Sequence, residues 1–490
     1  MDLLGTKIIP KRVGPWPFPK SNKPRIDSFD EVQISYSTEE AVEEANRCIL
    51  CPVPACVKAC PVNLDVLNMM RNIQEHNFEE AFRRIRETNC LPGSTARVCP
   101  QLDDLCEAHC VLSKRGDPLS IGMLQRFVSD WSEKKGQYEN PITQQQTGKS
   151  VAIIGGGPAG LAASDLLVHY GHKVTIFDNH KKLGGTARHG IPNFHLPKKT
   201  IDFEIEQIKQ NGVEIRNEIT VGEQISIEEL FEDGYNAILI AVGAKNVTPF
   251  MVDGMDLKGI YDAYEFLIQL DKMEIYRLHD KITPFKIGKR VLVIGGGDTA
   301  IDSARTVARL GAKEVTIMYR RSNKEMTAYK FGRELAEDEG IKIEYLQTPI
   351  RFIGDEKGWV NKAECIKMKL GEPDSSGRAS PIPIEGSNYI MDIDTVFTAI
   401  GRGPNTFLQE KENIKMEKWG GIIINTETHE TSYPGVFAAG DVVNGETLVV
   451  KAMKESRNAA QRIHEYLTKS DIKIDLFKKY FDERYLRKTK

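Results

Sequence analysis

One pattern of apolar and polar positions occurs twice along the chain. The first copy is VAIIGGGPAGLAASDLLVHYGHKVTIFD (151–178), and the second is VLVIGGGDTAIDSARTVARLGAKEVTIMYR (291–320). Each copy is an apolar, β-branched strand, a glycine-rich turn, an amphipathic helix and another strand. The repeat predicts an α/β fold with two nucleotide-binding, Rossmann-like domains.

The chain before the repeat has a different pattern. Segments such as STEEAVEEANRCIL and FEEAFRRIRETN place apolar residues at helical spacing, and no alternating strand pattern appears there. Eight of the nine cysteines lie between Cys48 and Cys110. We predict a separate, mostly helical domain over residues 1–145, with the polar residues 138–150 as a linker.

Composition excludes several classes of partner. The 490 residues are 40% hydrophobic and 28% charged, with a formal net charge of -3, so no general basic excess attracts nucleic acid or anionic lipid. No apolar run is long enough to span a membrane, and the first residues lack the apolar core of a signal peptide. We expect a cytoplasmic protein with neither a nucleic-acid nor a membrane partner.

The glycine-rich turns are suited to holding phosphate. Glycines 155, 157 and 160, and glycines 295 and 297, allow backbone to approach a pyrophosphate at a helix N-terminus. The alternative for each turn is a tight strand-to-helix connection without a ligand. The context of strand, turn and helix favours the dinucleotide.

The strand ends predict different dinucleotides. The first copy ends in Asp178, a carboxylate suited to a ribose diol, whereas the second ends in Tyr319, Arg320 and Arg321. Guanidinium groups bind a 2′-phosphate, so the second unit is predicted to bind NADP(H), unless the arginines are simply solvated. FAD is the natural occupant of the first unit, and Asp441, in the later strand-and-glycine stretch PGVFAAGD, is suited to ribityl hydroxyls.

The cysteines begin as C-x2-C-x4-C-x3-C-P, at Cys48, Cys51, Cys56, Cys60 and Pro61. This spacing is like the bacterial ferredoxin run, in which the fourth cysteine serves a second cluster. Three further candidates lie downstream, at Cys99, Cys106 and Cys110. A zinc site and structural disulfides are the alternatives, although a reducing compartment disfavours disulfides.

The order of these motifs resembles a known family over residues 30–468. The cysteine-rich start is followed by GGGPAG, GGTARHGIPNFHLPK, GGGDTAID with YRRS, AIGRGPN and AAGD. This order is similar to the small subunit of NADPH-dependent glutamate synthase, to the large subunit of ferredoxin:NADP+ oxidoreductase (sulfide dehydrogenase), and to the N-terminal half of dihydropyrimidine dehydrogenase.

The resemblance implies a fold like that of the disulfide reductases, preceded by an α-helical iron–sulfur domain. The FAD domain would comprise residues 146–285 and 395–468, the NADP(H) domain residues 286–394, and a charged tail, interpreted as a solvated helix, residues 469–490. The implied FAD contacts are Gly155, Gly157, Gly160, Asp178, Gly185, Gly440, Asp441 and Thr447. The implied NADP(H) contacts are Gly295, Gly297, Asp298, Thr299, Arg320, Arg321, Lys324 and Gly401.

The resemblance also implies two [4Fe-4S] clusters. The first would be held by Cys48, Cys51, Cys56 and Cys110, and the second by Cys60, Cys99, Cys106 and Gln125. Gln125 lies where relatives have Glu or Gln, although a glutamine on a helix is ordinarily a surface residue. The interval from Cys99 to Cys106 is longer than in relatives. Cys90 and Cys365 match no ligand position and are predicted to be buried thiols.

These cofactors predict an NADP(H)-dependent oxidoreductase. Hydride would pass between NADPH and FAD, and single electrons would pass through the clusters to a larger catalytic subunit or to ferredoxin, in a hetero-oligomer. A dithiol reductase is excluded, because residues 150–490 contain one cysteine. The alternatives are a zinc-bearing interaction subunit without catalysis and an electron-input subunit for pyrimidine reduction. No side chain is assigned as an acid–base catalyst.

Overall fold

The structure is a computed structural model of the chain. It describes residues 11–13, 26–136, 145–277, 283–374 and 377–469. Most of the predicted linker and nearly all of the predicted C-terminal tail lie outside these residues.

The helices pack through apolar faces, and the first of them begins with a capping box between Ser37 and Glu40. Two short 3₁₀ helices are Val111–Lys114 and Ile275–Arg277. The α-helices are α1 (Thr38–Asn46), α2 (Ala55–Ala59), α3 (Val66–Gln74), α4 (Phe78–Arg86), α5 (Pro92–Val98), α6 (Ile121–Lys135), α7 (Pro158–His169), α8 (Gly185–His189), α9 (Lys198–Gln210), α10 (Ile227–Glu232), α11 (Ala263–Lys272), α12 (Asp298–Arg309), α13 (Lys330–Asp338), α14 (Phe407–Lys411), α15 (Asp441–Asn444) and α16 (Val449–Thr468).

All strands of the described residues lie after the N-terminal helices. They are β1 (Ser150–Ile154), β2 (Lys173–Asp178), β3 (Glu214–Asn217), β4 (Ala237–Ile240), β5 (Ala244–Val247), β6 (Ile260–Asp262), β7 (Arg290–Ile294), β8 (Glu314–Tyr319), β9 (Lys342–Tyr345), β10 (Gln347–Gly354), β11 (Val360–Pro373), β12 (Ala379–Pro383), β13 (Tyr389–Asp392), β14 (Thr395–Thr398), β15 (Arg402–Pro404) and β16 (Val436–Ala438).

The N-terminal domain is helical in its described residues, as predicted. Helices α1, α3, α4 and α6 share a core that includes Ala41, Met70, Phe82 and Leu124. Buried polar contacts fix this core to the next part of the chain. Arg86 pairs with Asp165 on α7 at 3.2 Å, and both side chains are buried.

Two parallel sheets follow, one for each copy of the repeat. The first has the order β16-β4-β1-β2-β3, and the second has the order β6-β14-β7-β8-β9. In the first sheet, Ile153 of β1 lies between Ile176 of β2 and Leu239 of β4. Both faces of such a sheet are covered, which explains the continuous apolar runs in these strands. The predicted α/β class with two Rossmann-like units is confirmed.

Sheet membership differs from the predicted domain limits at two strands. Strands β6 and β14 pair in the second sheet, although both lie outside the range 286–394 predicted for the NADP(H) domain. Each strand is only three or four residues long and lies far from its neighbours in sequence, so no local pattern identifies it. The division into domains stays a prediction.

Two further sheets complete the fold. Strands β10 to β13 form a four-stranded antiparallel sheet around the long strand β11, and β5 pairs with β15. Strand β5 follows β4 of the first sheet, and β15 follows β14 of the second sheet. Their pairing connects the two segments through which the chain passes between the units. This arrangement places Gly401, which precedes β15, next to both units.

Candidate cofactor sites and cysteine groups

The first glycine-rich turn is shaped by contacts that exclude a side chain. Gly155 has φ +108°, and a Cβ there would lie 2.4 Å from the carbonyl oxygen of Ala241. A Cβ at Gly160 would lie 1.9 Å from the carbonyl oxygen of Gly155. At Gly157 the nearest heavy atom would be 3.6 Å away, so the turn stays open there. The first and third glycines therefore serve close packing, and the middle one leaves space for a ligand.

A cavity of about 440 Å³ lies against this turn. Its volume is within the usual range for a small-molecule site. It is lined by Gly155, Gly157, Asp178, Gly185, Asp441 and Thr447, which are six of the residues predicted to contact FAD. Gly160 and Gly440 are not among its lining residues, and a Cβ at Gly440 would lie 3.0 Å from the Cβ of Ala159.

Asp178 ends β2 at the edge of this cavity. Its Oδ2 accepts a hydrogen bond from the Gly156 amide at 2.7 Å, and its Oδ1 accepts one from the His180 amide at 2.8 Å. Burial alone would raise the pKa of this carboxyl, but the hydrogen bonds from His180 and Gly156 hold the pKa below its ordinary value. A carboxylate has about four acceptor positions, so Asp178 can still accept from a ribose hydroxyl.

Asp441 lies elsewhere on the cavity wall, after Gly440, whose φ is +81°. Its Oδ1 accepts hydrogen bonds from the Thr447 amide and hydroxyl at 3.2 and 3.1 Å. Burial raises the pKa of Asp441 to about 7, and the bonds from Thr447 act in the opposite direction.

The cavity wall includes residues to which the sequence analysis assigned no role. His180 and His189 are stacked with their ring centroids 4.7 Å apart, and Asp271 contacts His189 Nδ1 at 2.7 Å. The Thr186 and Tyr264 hydroxyls are hydrogen bonded at 2.7 Å. The signal for His189 and Thr186 was present in GGTARHGIP, whereas Tyr264 comes from α11, well separated in sequence.

The second glycine-rich turn has the same design. Gly295 has φ +145°, and a Cβ there would lie 2.1 Å from the carbonyl oxygen of Ala399. A Cβ at Gly297 would meet no heavy atom closer than 3.7 Å, so this turn is also open at its middle glycine. Ala300, in place of a third glycine, is completely buried.

Asp298 and Thr299 form the first turn of α12, directly after Gly297. Burial, and then repulsion from Asp302, raises the pKa of Asp298 to about 7, while a hydrogen bond from the Tyr329 amide at 3.2 Å acts in the opposite direction. Gly401 has φ +97°, and a Cβ there would lie 3.7 Å from Glu446 Oε2.

The two arginines at the end of β8 have different surroundings. Arg320 is exposed, as is Lys324, and within the described residues neither side chain has a hydrogen-bonding partner. Arg321 is buried and donates to the Asp374 carboxylate and to the Ala379 carbonyl. Arg320 and Lys324 are therefore available to an anionic ligand, whereas Arg321 joins β8 to the hairpin of β11 and β12. Its predicted contact with NADP(H) has no support in this geometry.

Four cysteines meet at one small pocket near the protein surface. They are Cys48, Cys51, Cys56 and Cys110. Burial, with a smaller contribution from the neighbouring cysteines, raises the pKa of Cys48 to about 11 and that of Cys56 to about 12. These four residues are the set that the resemblance implies for the first cluster, and we call them cysteine group one.

Cys60, Cys99 and Cys106 form a second set, here called cysteine group two. Burial raises the pKa of Cys99 and raises that of Cys106 well above its ordinary value, and Cys60 adds to both shifts. Cys60 and Cys99 pack against the hydrophobic core of the first sheet, which includes Val151 and Ile153. Cys60 and Cys106 also contact the helical core that holds group one. Group two therefore lies between the first sheet and group one.

Gln125 is buried on α6, beside the segments that carry group two. Its Nε2 donates to the Pro92 carbonyl at 2.7 Å and to the Thr95 hydroxyl at 2.9 Å, and both acceptors belong to the helix that precedes Cys99. No described residue donates to its Oε1. Its role as a ligand stays a prediction.

The buried carboxylate of Glu107 connects the other cysteine segment to the same helix. Its Oε1 accepts from the Gly122 amide at 2.9 Å, and its Oε2 accepts from Arg12 at 3.0 Å. Because Glu107 follows Cys106, this contact fixes the start of α6 next to group two. The sequence pattern had indicated no role for Glu107.

In the part of the chain that the structure describes, no three or more His, Cys, Asp and Glu side chains are arranged to hold a metal ion, and this holds for both cysteine groups as well as for a zinc site. Cys90 and Cys365 are buried, as predicted. Among the described helices, none is long and apolar enough to cross a membrane.

Comparisons with known proteins agree with this arrangement. Residues 149–456 match the pyridine nucleotide-disulphide oxidoreductase family, and residues 25–137 match domain II of dihydropyrimidine dehydrogenase, with its 4Fe-4S cluster. The fold of FprA from Mycobacterium tuberculosis, in complex with NADPH, is similar at a TM-score of 0.55 and 19% identity, over 66% of this chain and 85% of that one.

Curated relatives cover nearly the whole chain. The glutamate synthase (NADPH) small chain of Escherichia coli is 35% identical over 454 residues, which cover 91% of this chain and 96% of that protein. The small chain of Azospirillum brasilense is 34% identical, over 90% of this chain and 92% of that protein. The NADPH-Fe(3+) oxidoreductase subunit beta of Geobacter sulfurreducens is 34% identical, over 84% of this chain and 63% of that protein. The chain is therefore an oxidoreductase of the pyridine nucleotide-disulphide oxidoreductase family, with a 4Fe-4S domain at its N-terminus, and it belongs with the small chains of NADPH-dependent glutamate synthase.

Proposed function

We propose that the chain passes electrons between NADPH and a partner protein through FAD and two [4Fe-4S] clusters. The observation that carries the proposal is the position of cysteine group two, which packs on the core of the first sheet and also on the core that holds group one. This arrangement gives an order for the electron path, from the first unit to group two and then to group one.

The residues around the first cavity fit FAD. Gly155 and Gly157 expose backbone at the N-terminus of α7, where a pyrophosphate is stabilised by amide groups. Asp178 is ionised and is placed to accept from a ribose diol, and Asp441 with Thr447 offers a polar pair on the same wall. When bound, a flavin exchanges a hydride with a nicotinamide and single electrons with iron–sulfur centres.

The second unit fits NADP(H). The open turn at Gly297 and the N-terminus of α12 would hold the pyrophosphate, close to Asp298 and Thr299. The exposed side chains of Arg320 and Lys324 would bind the 2′-phosphate with charge-assisted hydrogen bonds. We give Arg321 a supporting role, because its guanidinium already contacts Asp374.

The donor sets support two clusters. Group one supplies four thiols, which is a complete set for a four-iron cluster, whereas group two supplies three and needs one further ligand. We propose Gln125 Oε1 as that ligand. Its amide nitrogen already donates a hydrogen bond to α5, the helix before Cys99. The contact between Glu107 and Gly122 fixes the start of α6 beside Cys106.

Gln125→Ala tests this ligand directly. The electron paramagnetic resonance spectrum or the reduction potential of one cluster should change, since an amide ligand alters the electronic environment of the iron. Gln409→Ala is a matched control, because Gln409 is also buried and donates to a backbone carbonyl, that of Gly420, but belongs to α14 and not to the N-terminal domain. An unchanged spectrum and potential would remove Gln125 from the ligand set.

The partner is a larger catalytic subunit or a ferredoxin, and we propose that the chain works within a hetero-oligomer. Relatives include small chains of glutamate synthase and beta subunits of other oxidoreductases. Copurification from the native cell would identify the partner and so separate glutamate synthesis from ferredoxin-linked reactions. A cytoplasmic location stays a prediction.

Metal analysis of anaerobically purified protein tests the number of clusters. Two four-iron clusters predict roughly eight iron atoms and as many acid-labile sulfides per chain, with one FAD. About half as much iron would indicate that the chain holds only one cluster. A colourless protein that contains zinc would contradict the proposal and support the zinc-bearing interaction subunit.

A further inference from the structure

The surface beside cysteine group one combines exposed apolar side chains with unpaired cations. Ile49 is 61% exposed and Val53 is 65% exposed, and these residues flank Cys51 on either side. Single exposed apolar residues are common, but these two are each two positions from Cys51, a proposed cluster ligand. We call the patch formed by Ile49, Val53, Lys58, Lys114 and Arg115 the exit surface.

The two segments that form the exit surface lie next to each other in the fold. Ile49 and Val111 line the same small pocket as the four cysteines of group one. Lys58 belongs to the last turn of α2, and Lys114 ends the 3₁₀ helix that begins at Val111, with Arg115 directly after it. The apolar pair therefore has cations on two neighbouring segments.

The charge of these segments is one-sided. Residues 48–60 and 109–116 contain Lys58, Lys114 and Arg115 and no Asp or Glu, although the whole chain has a formal net charge of -3. Lys58, Lys114 and Arg115 are exposed, and none of them forms an ion pair with a described residue. The nearest acidic residues in sequence are Glu44, Asp65, Glu107 and Asp117; Glu44 and Glu107 are buried in ion pairs with Arg47 and Arg12, and Asp117 is exposed. Unpaired cations around a small apolar centre suit an anionic partner.

We propose that the exit surface is the docking site of a small acidic protein that carries a one-electron cofactor. This inference rests on the proposed function, in which group one holds the outer cluster. Electronic coupling falls steeply with distance, so a carrier must dock where that cluster is nearest to solvent. Exposed Ile49 and Val53 would contact an apolar area of the carrier, and the three cations would contact carboxylates around it.

The size of the exit surface favours a transient carrier over a permanent subunit. Its apolar part consists of two large side chains, whereas permanent interfaces are larger and more hydrophobic. Electrostatic contacts at the rim raise the rate of association and weaken as salt increases, which is suited to repeated binding and release.

Binding of an acidic ferredoxin to the holoprotein tests the proposal. We expect Lys58→Glu combined with Lys114→Glu to weaken binding about tenfold or more at low salt, because two attractive contacts become repulsive. Wild-type binding should weaken as salt rises, and Val53→Asp should weaken binding at both low and high salt, because it removes an apolar contact as well as adding a negative charge. Lys313→Glu and Ile390→Asp are matched controls, because both residues are exposed but lie in the second unit and in the antiparallel sheet.

The outcomes separate this inference from the proposed function. If NADPH does not bleach the wild-type holoprotein, the proposed function fails. If NADPH bleaches every variant, with unchanged iron content, but the charge reversal binds ferredoxin as tightly as wild type does, the docking site is wrong. Loss of a copurifying large subunit in the charge-reversed variant, with ferredoxin binding intact, would also overturn it. If Val53→Asp loses iron, ferredoxin binding by the charge-reversed variant, compared with wild type, still tests the docking site.

Discussion

At the third glycine position of the repeated turn, the first unit has Gly160 and the second has Ala300. A Cβ at Gly160 would lie 1.9 Å from the carbonyl oxygen of Gly155, whereas the methyl group of Ala300 is accommodated and completely buried. The two units thus share a chain path but differ in how tightly the helix packs on the turn. An identical motif position can be obligatory in one copy and replaceable in the other.

The two units also differ in how they meet a ligand. The first turn borders a cavity of about 440 Å³ whose walls come from distant parts of the chain, including Tyr264 and Asp441. The second unit offers Arg320 and Lys324 as exposed side chains. The first unit therefore surrounds its candidate ligand with several parts of the chain, whereas the second presents exposed cations to one.

Exchanging the residues at the third position is expected to have the largest effect. Gly160→Ala should lower the free energy of unfolding by about 3 kcal/mol or more and reduce the FAD content, because the new methyl group overlaps backbone that cannot move freely. Ala300→Gly should cost about 1–2 kcal/mol, through helix propensity and one lost buried methyl group. Thermal denaturation and flavin content measure both changes. Equal effects at the two positions would contradict the packing difference.

Separate replacement of the two arginines of the second unit should show that Arg320 affects NADPH binding and that Arg321 affects stability. Arg320→Ala should cost about 1.5–3 kcal/mol of NADPH affinity and leave NADH affinity unchanged, because the lost hydrogen bonds are to the 2′-phosphate. Arg321→Ala should mainly destabilise the protein, since the contacts of the buried guanidinium with Asp374 and Ala379 are lost. Fluorescence titration with both nucleotides gives the result. Equal loss of NADPH and NADH affinity in Arg320→Ala would contradict the assignment.

Acid should affect the first unit more than the second. Burial lowers the pKa of His172 from its ordinary value of 6.5 to about 4, and its Nε2 contacts His464 Nδ1 at 2.9 Å. The unfolded chain therefore binds more protons between these pH values, so stability should fall by about 1–2 kcal/mol as the pH drops from 6.5 to 4. The corresponding residue in the second unit is Ala312. Its amide donates to the Val307 carbonyl, just as the His172 amide donates to the Leu167 carbonyl.

His172→Ala copies the second unit and is the control for this effect. Its stability between pH 6.5 and pH 4 should depend less on pH than that of wild type, as measured by chemical denaturation at each pH. An unchanged pH dependence would show that other groups cause the acid sensitivity.

The sequence predicted the features that local chemistry determines. The strands, glycine turns and helices of both repeats follow from their periodicity, and the gathering of Gly157, Asp178 and Gly185 at one cavity follows from the fold that they imply. The grouping of the cysteines came from the resemblance, because spacing alone does not show that Cys110 lies with Cys48.

Features that depend on distant contacts were not predictable. The sequence gives no sign that Arg321 is paired with Asp374, because the two residues are 53 positions apart. Strands β6 and β14 are too short for a periodic pattern, so their place in the second sheet depends on tertiary packing. The polar contacts of Glu107 and Tyr264 have the same origin.

The central claim is that the chain converts the electron pair of NADPH into single electrons. Anaerobic titration of the purified holoprotein with NADPH, followed by visible absorption and accompanied by iron analysis, tests it most directly. We predict a protein that contains iron and flavin and whose visible absorption bleaches as NADPH is added. A protein without non-haem iron, or one whose spectrum does not change with NADPH, would contradict the claim.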